Sequence, residues 1–129
     1  MDELVGTLAS YVPALILDRL LRDRAPIQQP RADRYSAAVV FIDISGFTAL
    51  TEQFMQSDSA GLEELTQILN TNFGHIIDLV HRYGGDVFKF AGDALLAVWV
   101  ADSRPETLPP QVLHAAQCTL DIQDSVQTR

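Results

Sequence analysis

Phe88-Lys89-Phe90-Ala91-Gly92-Asp93 is followed at once by a second apolar run, Ala94 to Val100. A Gly-Asp pair between two apolar runs is typical of a tight turn, so these residues predict a β-hairpin. Some fifty residues upstream lies a third run, Ala37 to Ile42, which is rich in Val and Ile and ends at Asp43. A continuous apolar run of this length predicts a strand that is buried on both faces.

Helical patterns surround these strands. Residues 2–23 have helical spacing, but Pro13 would cost about 3 kcal/mol inside a helix, so we predict two short helices with Pro13 in the first turn of the second. Residues 62–83 predict a long amphipathic helix that Gly84-Gly85 ends. Prolines at 105, 109 and 110 predict a loop, and residues 111–127 a last helix. The inward positions expected on that helix are Val112, Ala115, Ala116, Leu120 and Ile122.

The order strand, helices, strand, strand, helix is that of most of a ferredoxin-like βαββαβ unit, an α+β fold. A final strand is missing before Arg129, so we expect the fold to be incomplete at the C-terminus and the chain to be the N-terminal portion of a longer domain. Residues 1–34 are expected to form a helical segment and linker, and residues 35–129 the partial domain.

Composition restricts the class of protein. The 129 residues are 47% hydrophobic and 20% charged, which is typical of one globular domain. A net charge of −8 argues against a nucleic-acid partner. No apolar stretch reaches the roughly 18–20 residues of a membrane span, and the N-terminus lacks the basic region of a signal peptide, so a cytoplasmic location is expected. Cys118, the single cysteine, excludes an internal disulfide and is expected to be a buried thiol.

The two carboxylates that end apolar runs are the candidate chemistry. A hairpin beside the first strand would bring Asp43 to Asp93, and two such charges repel unless a divalent cation lies between them. Mg²⁺ favours one or two carboxylates completed by water and phosphate oxygens. A helix that begins directly after Asp43 would direct the backbone amides of Ser45, Gly46, Phe47 and Thr48 at a phosphate.

The segments Phe41-Ile42-Asp43-Ile44-Ser45-Gly46-Phe47-Thr48 and Phe88-Lys89-Phe90-Ala91-Gly92-Asp93-Ala94 resemble the two metal-site segments of class III nucleotidyl cyclases. The similarity is greatest to the soluble, bicarbonate-responsive adenylyl cyclases and their bacterial relatives. It covers essentially the whole chain and is densest from residue 39 to residue 100. Further matches are Thr51-Glu52, Tyr83-Gly84-Gly85-Asp86 and Leu95-Leu96-Ala97-Val98-Trp99.

The resemblance implies an adenylate cyclase, a lyase that converts ATP to cyclic AMP and pyrophosphate in intracellular signalling. Asp43, Asp93 and the backbone carbonyl of Ile44 would bind two Mg²⁺ or Mn²⁺ ions, and the two aspartates would be the catalytic residues. The family builds its sites between two cyclase domains, so the implied partner is a second such domain, in a homodimer or in the same chain.

Lys89, the only lysine, has two implied roles. In homodimeric members a lysine here contacts adenine, whose N1 accepts a hydrogen bond from an ammonium group. In the bicarbonate-responsive members it binds the activator bicarbonate. The transition-state asparagine and arginine and a phosphate-binding lysine have no counterparts, so the chain alone is expected to be inactive.

Two alternatives stay open. One is a catalytically silent regulatory or dimerisation domain that keeps the cyclase fold, although two mutually repelling carboxylates would have no use there. The other is a diguanylate cyclase, whose Gly-Gly-Asp signature Gly84-Gly85-Asp86 resembles, but Val87 replaces the glutamate expected next.

Overall fold

The computed structural model describes residues 2–43, 49, 51–53, 56 and 59–127. Its helices and strands follow one another along the chain as α1 (Asp2–Ala9), α2 (Ala14–Arg22), β1 (Ala37–Asp43), α3 (Ser59–Arg82), β2 (Asp86–Ala91), β3 (Ala94–Val100), a 3₁₀ turn (Pro105–Thr107) and α4 (Leu108–Gln127). Residues 51–53 are also helical, within the helix predicted after Asp43. In the part of the chain that is described, no helix is long and apolar enough to cross a membrane.

The three strands form one antiparallel sheet in the order β1-β3-β2. β2 and β3 are the predicted hairpin, and Gly92 in its turn has a φ of +64°, which glycine adopts without strain. β1 lies on the other side of β3, with Ala37 opposite Val100 and Asp43 opposite Ala94. This antiparallel sheet with its helices confirms the predicted α+β fold class.

One face of the sheet forms the core. Leu95, Ala97 and Trp99 on β3 are at most 1% exposed and pack against α3 and α4. Successive side chains of a strand point to opposite faces, whereas residues paired across two strands point to the same face. The partners of Leu95, Ala97 and Trp99 on β1 and β2 therefore also point toward the core. The helices contribute the remaining buried residues of this cluster, which are Ile76, Leu79, Val80, Ala115, Cys118 and Ile122. The expected burial of the Cys118 thiol is thereby confirmed.

The prediction that β1 is buried on both faces is wrong for this chain. Val39 and Phe41 are 60% and 63% exposed, whereas Val40 and Ile42 between them are partly buried against the core. The physical reason is that α3 and α4 pack on one side of the sheet. The other side, to which Val39, Phe41 and Asp43 point, is called the open face below.

Three details of the helices differ from expectation. Pro13 is the N-cap of α2 and precedes its first turn. Pro109 and Pro110 lie inside the first turn of α4, where a missing N–H leaves no hydrogen bond unmade. On α4 the inward stripe is Ala115, Cys118 and Ile122. The other three positions expected to face inward, Val112, Ala116 and Leu120, are exposed.

The C-terminal end of α3 is closed tightly. Gly84 has a φ of +80°, and the amide of Gly85 donates to the carbonyl of Val80 at 2.9 Å, so the predicted glycine stop is confirmed. The indole Nε1 of Trp99 donates to the carbonyl oxygen of Tyr83 at 3.0 Å, which connects this turn to β3.

Candidate metal and nucleotide site

The strand pairing brings the two candidate metal aspartates to the same end of the sheet. Asp43, the last residue of β1, lies opposite Ala94, and Asp93 directly precedes Ala94 in the hairpin turn. Opposed Cα atoms are about 4.5–5.5 Å apart and consecutive ones about 3.8 Å, so the Cα atoms of Asp43 and Asp93 lie within about 9 Å. Asp43 is exposed and Asp93 is half-buried, so solvent and ligands can reach both residues.

The donor set at this end of the sheet suits a hard divalent cation. Within the described residues there is no group of three or more His, Cys, Asp and Glu side chains that could hold a metal ion. Two carboxylates from neighbouring chain segments leave most of an octahedron to water and substrate oxygens, which is the arrangement that Mg²⁺ prefers. Asp43 and Asp93 therefore fit a metal that is held jointly with a phosphate ligand.

The remaining metal and phosphate candidates, Ile44 and Ser45, Gly46, Phe47 and Thr48, lie outside the described residues. Their predicted contacts to metal and phosphate stay predictions. Of the residues that follow, 49 and 51–53 are described and are helical.

Lys89 shares the open face with Asp43. It lies opposite Leu96, which lies opposite Phe41 on its other side, so all three side chains project from one face. Asp43 lies opposite Ala94, which is two residues before Leu96 on β3. Side chains two residues apart in a strand point to the same face, so Asp43 also projects from the open face. The ammonium group and the first carboxylate are thus placed on one surface, and Lys89 is exposed there.

Asp86 has a role that sequence reasoning missed. Its two carboxylate oxygens accept hydrogen bonds from the backbone amides of Ala14 and Leu15, each at 3.1 Å. These amides belong to the first turn of α2, whose N-cap Pro13 makes no side-chain capping bond. The sequence did contain one indication: proline has no side-chain group that could cap α2, so the free amides at the start of this helix need another partner.

A cavity of about 300 Å³ lies beside this contact. It is lined by the turn between α1 and α2, at residues 10–13, and by β2 from Asp86 to Phe90. Ile77 and His81 of α3 complete it, and Lys89 is one of the lining residues. The cavity therefore joins the N-terminal helices to the strand that carries the candidate base-contacting lysine.

Comparison with known proteins gives a consistent result, although no family model matches the chain. Adenylate cyclase type 10 of Oryctolagus cuniculus is 39% identical over 124 residues, which cover 94% of this chain and 7% of that protein. The chain thus spans a small part of this relative's length. The adenylyl cyclase CyaB from P. aeruginosa superimposes with a TM-score of 0.59 and 25% identity, over 71% of this chain and 43% of that one.

A bacterial light-regulated adenylyl cyclase has the same fold, with a TM-score of 0.71 and 23% identity over 98% of this chain and 33% of that one. The sequence likeness extends over 94% of this chain, and the structural likeness over 71–98% of it. On these grounds the chain belongs to the class III adenylyl cyclase family.

Proposed function

We propose that this chain is the metal-binding part of an adenylyl cyclase catalytic domain that converts ATP to cyclic AMP and pyrophosphate. The observation that carries the proposal is the pairing of Asp43 with Ala94, because it brings a carboxylate from β1 to the carboxylate of the hairpin turn. The family uses divalent metal ions, and the finer assignment to Mg²⁺ or Mn²⁺ is supported by the all-oxygen donor set.

In the proposed reaction the ribose 3′-oxygen bonds to the α-phosphorus of ATP. The bond from that phosphorus to the bridging oxygen breaks, pyrophosphate leaves with the electron pair, and the hydroxyl proton passes to solvent. Divalent cations bound at this site would supply Lewis acidity toward the attacking oxygen and neutralise charge on the leaving group. Asp43 and Asp93 hold those cations, and Ile44 contributes its backbone carbonyl.

The amides of residues 45–48 bind the β- and γ-phosphates in this proposal. Lys89 lies on the same face as Asp43, and it donates either to adenine or to bicarbonate. Its exposure on the face that also carries Phe41, across Leu96 of β3, suits a ligand that is enclosed between two domains. Residues 1–34 then form a leading helical segment, and residues 35–129 form part of the catalytic domain.

A second cyclase domain is the proposed partner, in a homodimer or within a longer chain. Val39 and Phe41 support it, because both are apolar, more than half exposed and on the face that holds Asp43. Residues that stabilise the transition state and are missing from this chain would come from further along the protein or from that domain. The isolated 129 residues are therefore proposed to be inactive.

The test is cyclic AMP formation from Mn²⁺-ATP by the natural full-length protein and its Asp43→Asn and Asp93→Asn variants. Each substitution keeps the side-chain shape and removes one charge, so we expect kcat to fall about 100-fold or more while the far-UV circular dichroism is unchanged. Asp102→Asn is the matched control, because Asp102 follows the opposite end of β3 and pairs with Arg104.

Retained turnover in either site variant would refute the two-aspartate site. A folded wild-type protein that binds an ATP analogue but makes no cyclic AMP would favour the silent regulatory domain instead. Formation of a cyclic dinucleotide from GTP would favour the diguanylate cyclase alternative.

A further inference from the structure

The N-terminal helices have partly buried side chains, such as Leu15, Ile16 and Leu17 of α2, but no fully buried one. Neither α1 nor α2 contains a buried residue. Asp86 supplies a polar attachment, since its oxygens accept from Ala14 and Leu15 at the start of α2. A carboxylate at a helix N-terminus is also favoured by the helix dipole. The contact spans 71–72 positions in sequence, so it connects the N-terminal segment to β2 of the domain.

An irregularity in β2 places Asp86 and Lys89 on one face. Residues three apart in a regular strand point to opposite faces. Here Asp86 lies opposite Val98 and Lys89 opposite Leu96, and the register shifts between Val87 and Lys89. The extra residue, Phe88, is a β-bulge that returns Lys89 to the face of Asp86. The bulged strand therefore links the cap of α2 to the orientation of Lys89.

The cavity also brings Asp86 and the α1–α2 turn together with Lys89. The α1–α2 turn, which Asp86 holds by the amides that follow it, lines the cavity together with β2. Lys89 lines this cavity of about 300 Å³. If the turn moved away from β2, the cavity would open and the bulge would lose the contact on its N-terminal side.

We infer that Asp86 is a positioning residue for Lys89: by holding the α1–α2 turn against β2, it fixes the bulge and the cavity wall beside the lysine. The affinity for the ligand of Lys89, adenine nucleotide or bicarbonate, then depends on Asp86 although Asp86 touches neither. This inference rests on the proposed cyclase function for its kinetic consequence, whereas the link between Asp86 and Lys89 is independent of it.

The experiment uses the full-length protein and two readouts. The first is the rate of acetylation of Lys89 by an amine reagent, followed on the peptide of residues 83–129, which has no other lysine. The second is the KM for ATP, with the half-activating bicarbonate concentration and kcat measured alongside. Asp86→Ala should raise the acetylation rate severalfold and raise the KM or the bicarbonate concentration about tenfold, with kcat within about twofold. A tenfold change equals about 1.4 kcal/mol, the size of one charge-assisted hydrogen bond.

Two further variants separate positioning from a general loss of structure. Asp86→Asn keeps one acceptor oxygen and should show an intermediate effect on both readouts. Asp33→Asn breaks the 3.2 Å ion pair with Arg19 on the same helix without touching β2, so it should leave both readouts at the wild-type values.

Each outcome tests either the positioning of Lys89 by Asp86 or the proposed cyclase function. An unchanged acetylation rate in folded Asp86→Ala overturns the link to Lys89, and so does an equal effect of Asp33→Asn. Faster acetylation with unchanged KM and unchanged bicarbonate response overturns the positioning role. A wild-type protein without cyclase activity refutes the proposed function instead, and the acetylation rates still decide whether Asp86 holds the wall beside Lys89.

Discussion

Gly85 is the position at which a single added methyl group should cost most. A Cβ atom built there would lie 2.6 Å from both Cε2 and Cζ2 of Trp99 and 2.9 Å from Cγ1 of Val80. Both neighbours are held in the core, since Trp99 is 1% exposed and Val80 is fully buried. The indole is further restrained by its hydrogen bond to the carbonyl of Tyr83. Gly85→Ala must therefore displace the indole from β3 or separate α3 from the sheet.

The expected magnitude follows from these contacts. Overpacking of a rigid core costs about 1–3 kcal/mol, and loss of the indole hydrogen bond adds about 1 kcal/mol. We therefore expect Gly85→Ala to lower the free energy of unfolding by about 2–4 kcal/mol. Gly84→Ala meets no atom within 4 Å but keeps a φ of +80°. That backbone strain costs about 1–2 kcal/mol, less than the steric clash at Gly85.

Gly74→Ala is the matched control, because Gly74 lies within α3 and its new methyl group also meets nothing within 4 Å. Alanine is the better helix former by about 0.5–1 kcal/mol, so this variant should be more stable than the wild type. Urea denaturation followed by far-UV circular dichroism measures all three. A Gly85→Ala variant that costs no more than Gly84→Ala would refute the tight packing of β3 against α3.

Three other predictions use the described side chains. Burial raises the pKa of the Cys118 thiol to about 11, so iodoacetamide at pH 8 should alkylate the native protein at least about tenfold more slowly than the unfolded chain; equal rates would contradict its burial. The hydrogen bond to Asp121 raises the pKa of Tyr83 above 10.0, so this bond stabilises the folded protein below pH 10 and the stability is lost as the pH rises through the raised pKa. In denaturation measurements across pH 9–11, the free energy of unfolding of Tyr83→Phe should therefore fall less than that of the wild type. Phe41→Ser should change the free energy of unfolding by no more than about 0.5 kcal/mol, because Phe41 is 63% exposed, yet should weaken domain pairing measured by sedimentation.

Local patterns in the sequence predicted most of the fold. The Gly-Asp pair at 92–93, the glycines at 84–85 and the spacing of the long helix depend on backbone preferences and periodicity within a few residues, and the structure confirms each of them. The same holds for the end of β1 at Asp43, because a carboxylate rarely continues a buried strand.

Contacts between distant residues were not predictable in the same way. The cap that Asp86 provides to α2 joins residues 71–72 positions apart, and no spacing rule relates them. The bulge at Phe88 depends on how β2 pairs with β3, which the alternation of side chains within β2 does not specify. On α4, periodicity correctly indicated a helix, but Val112 and Leu120 are exposed because the helix presents Ala115 and Cys118 to the sheet.

The failed prediction for β1 bears on the proposed assembly. Its uninterrupted apolar run indicates burial on both faces, but in the described chain Val39 and Phe41 remain 60% and 63% exposed. These two side chains alternate with core residues and lie on the face of Asp43. A second cyclase domain on the open face would bury them and would enclose the carboxylate together with its ligand. In this proposed assembly the sequence pattern of β1 describes the strand once it is paired, and its exposed residues mark the surface that the second domain covers.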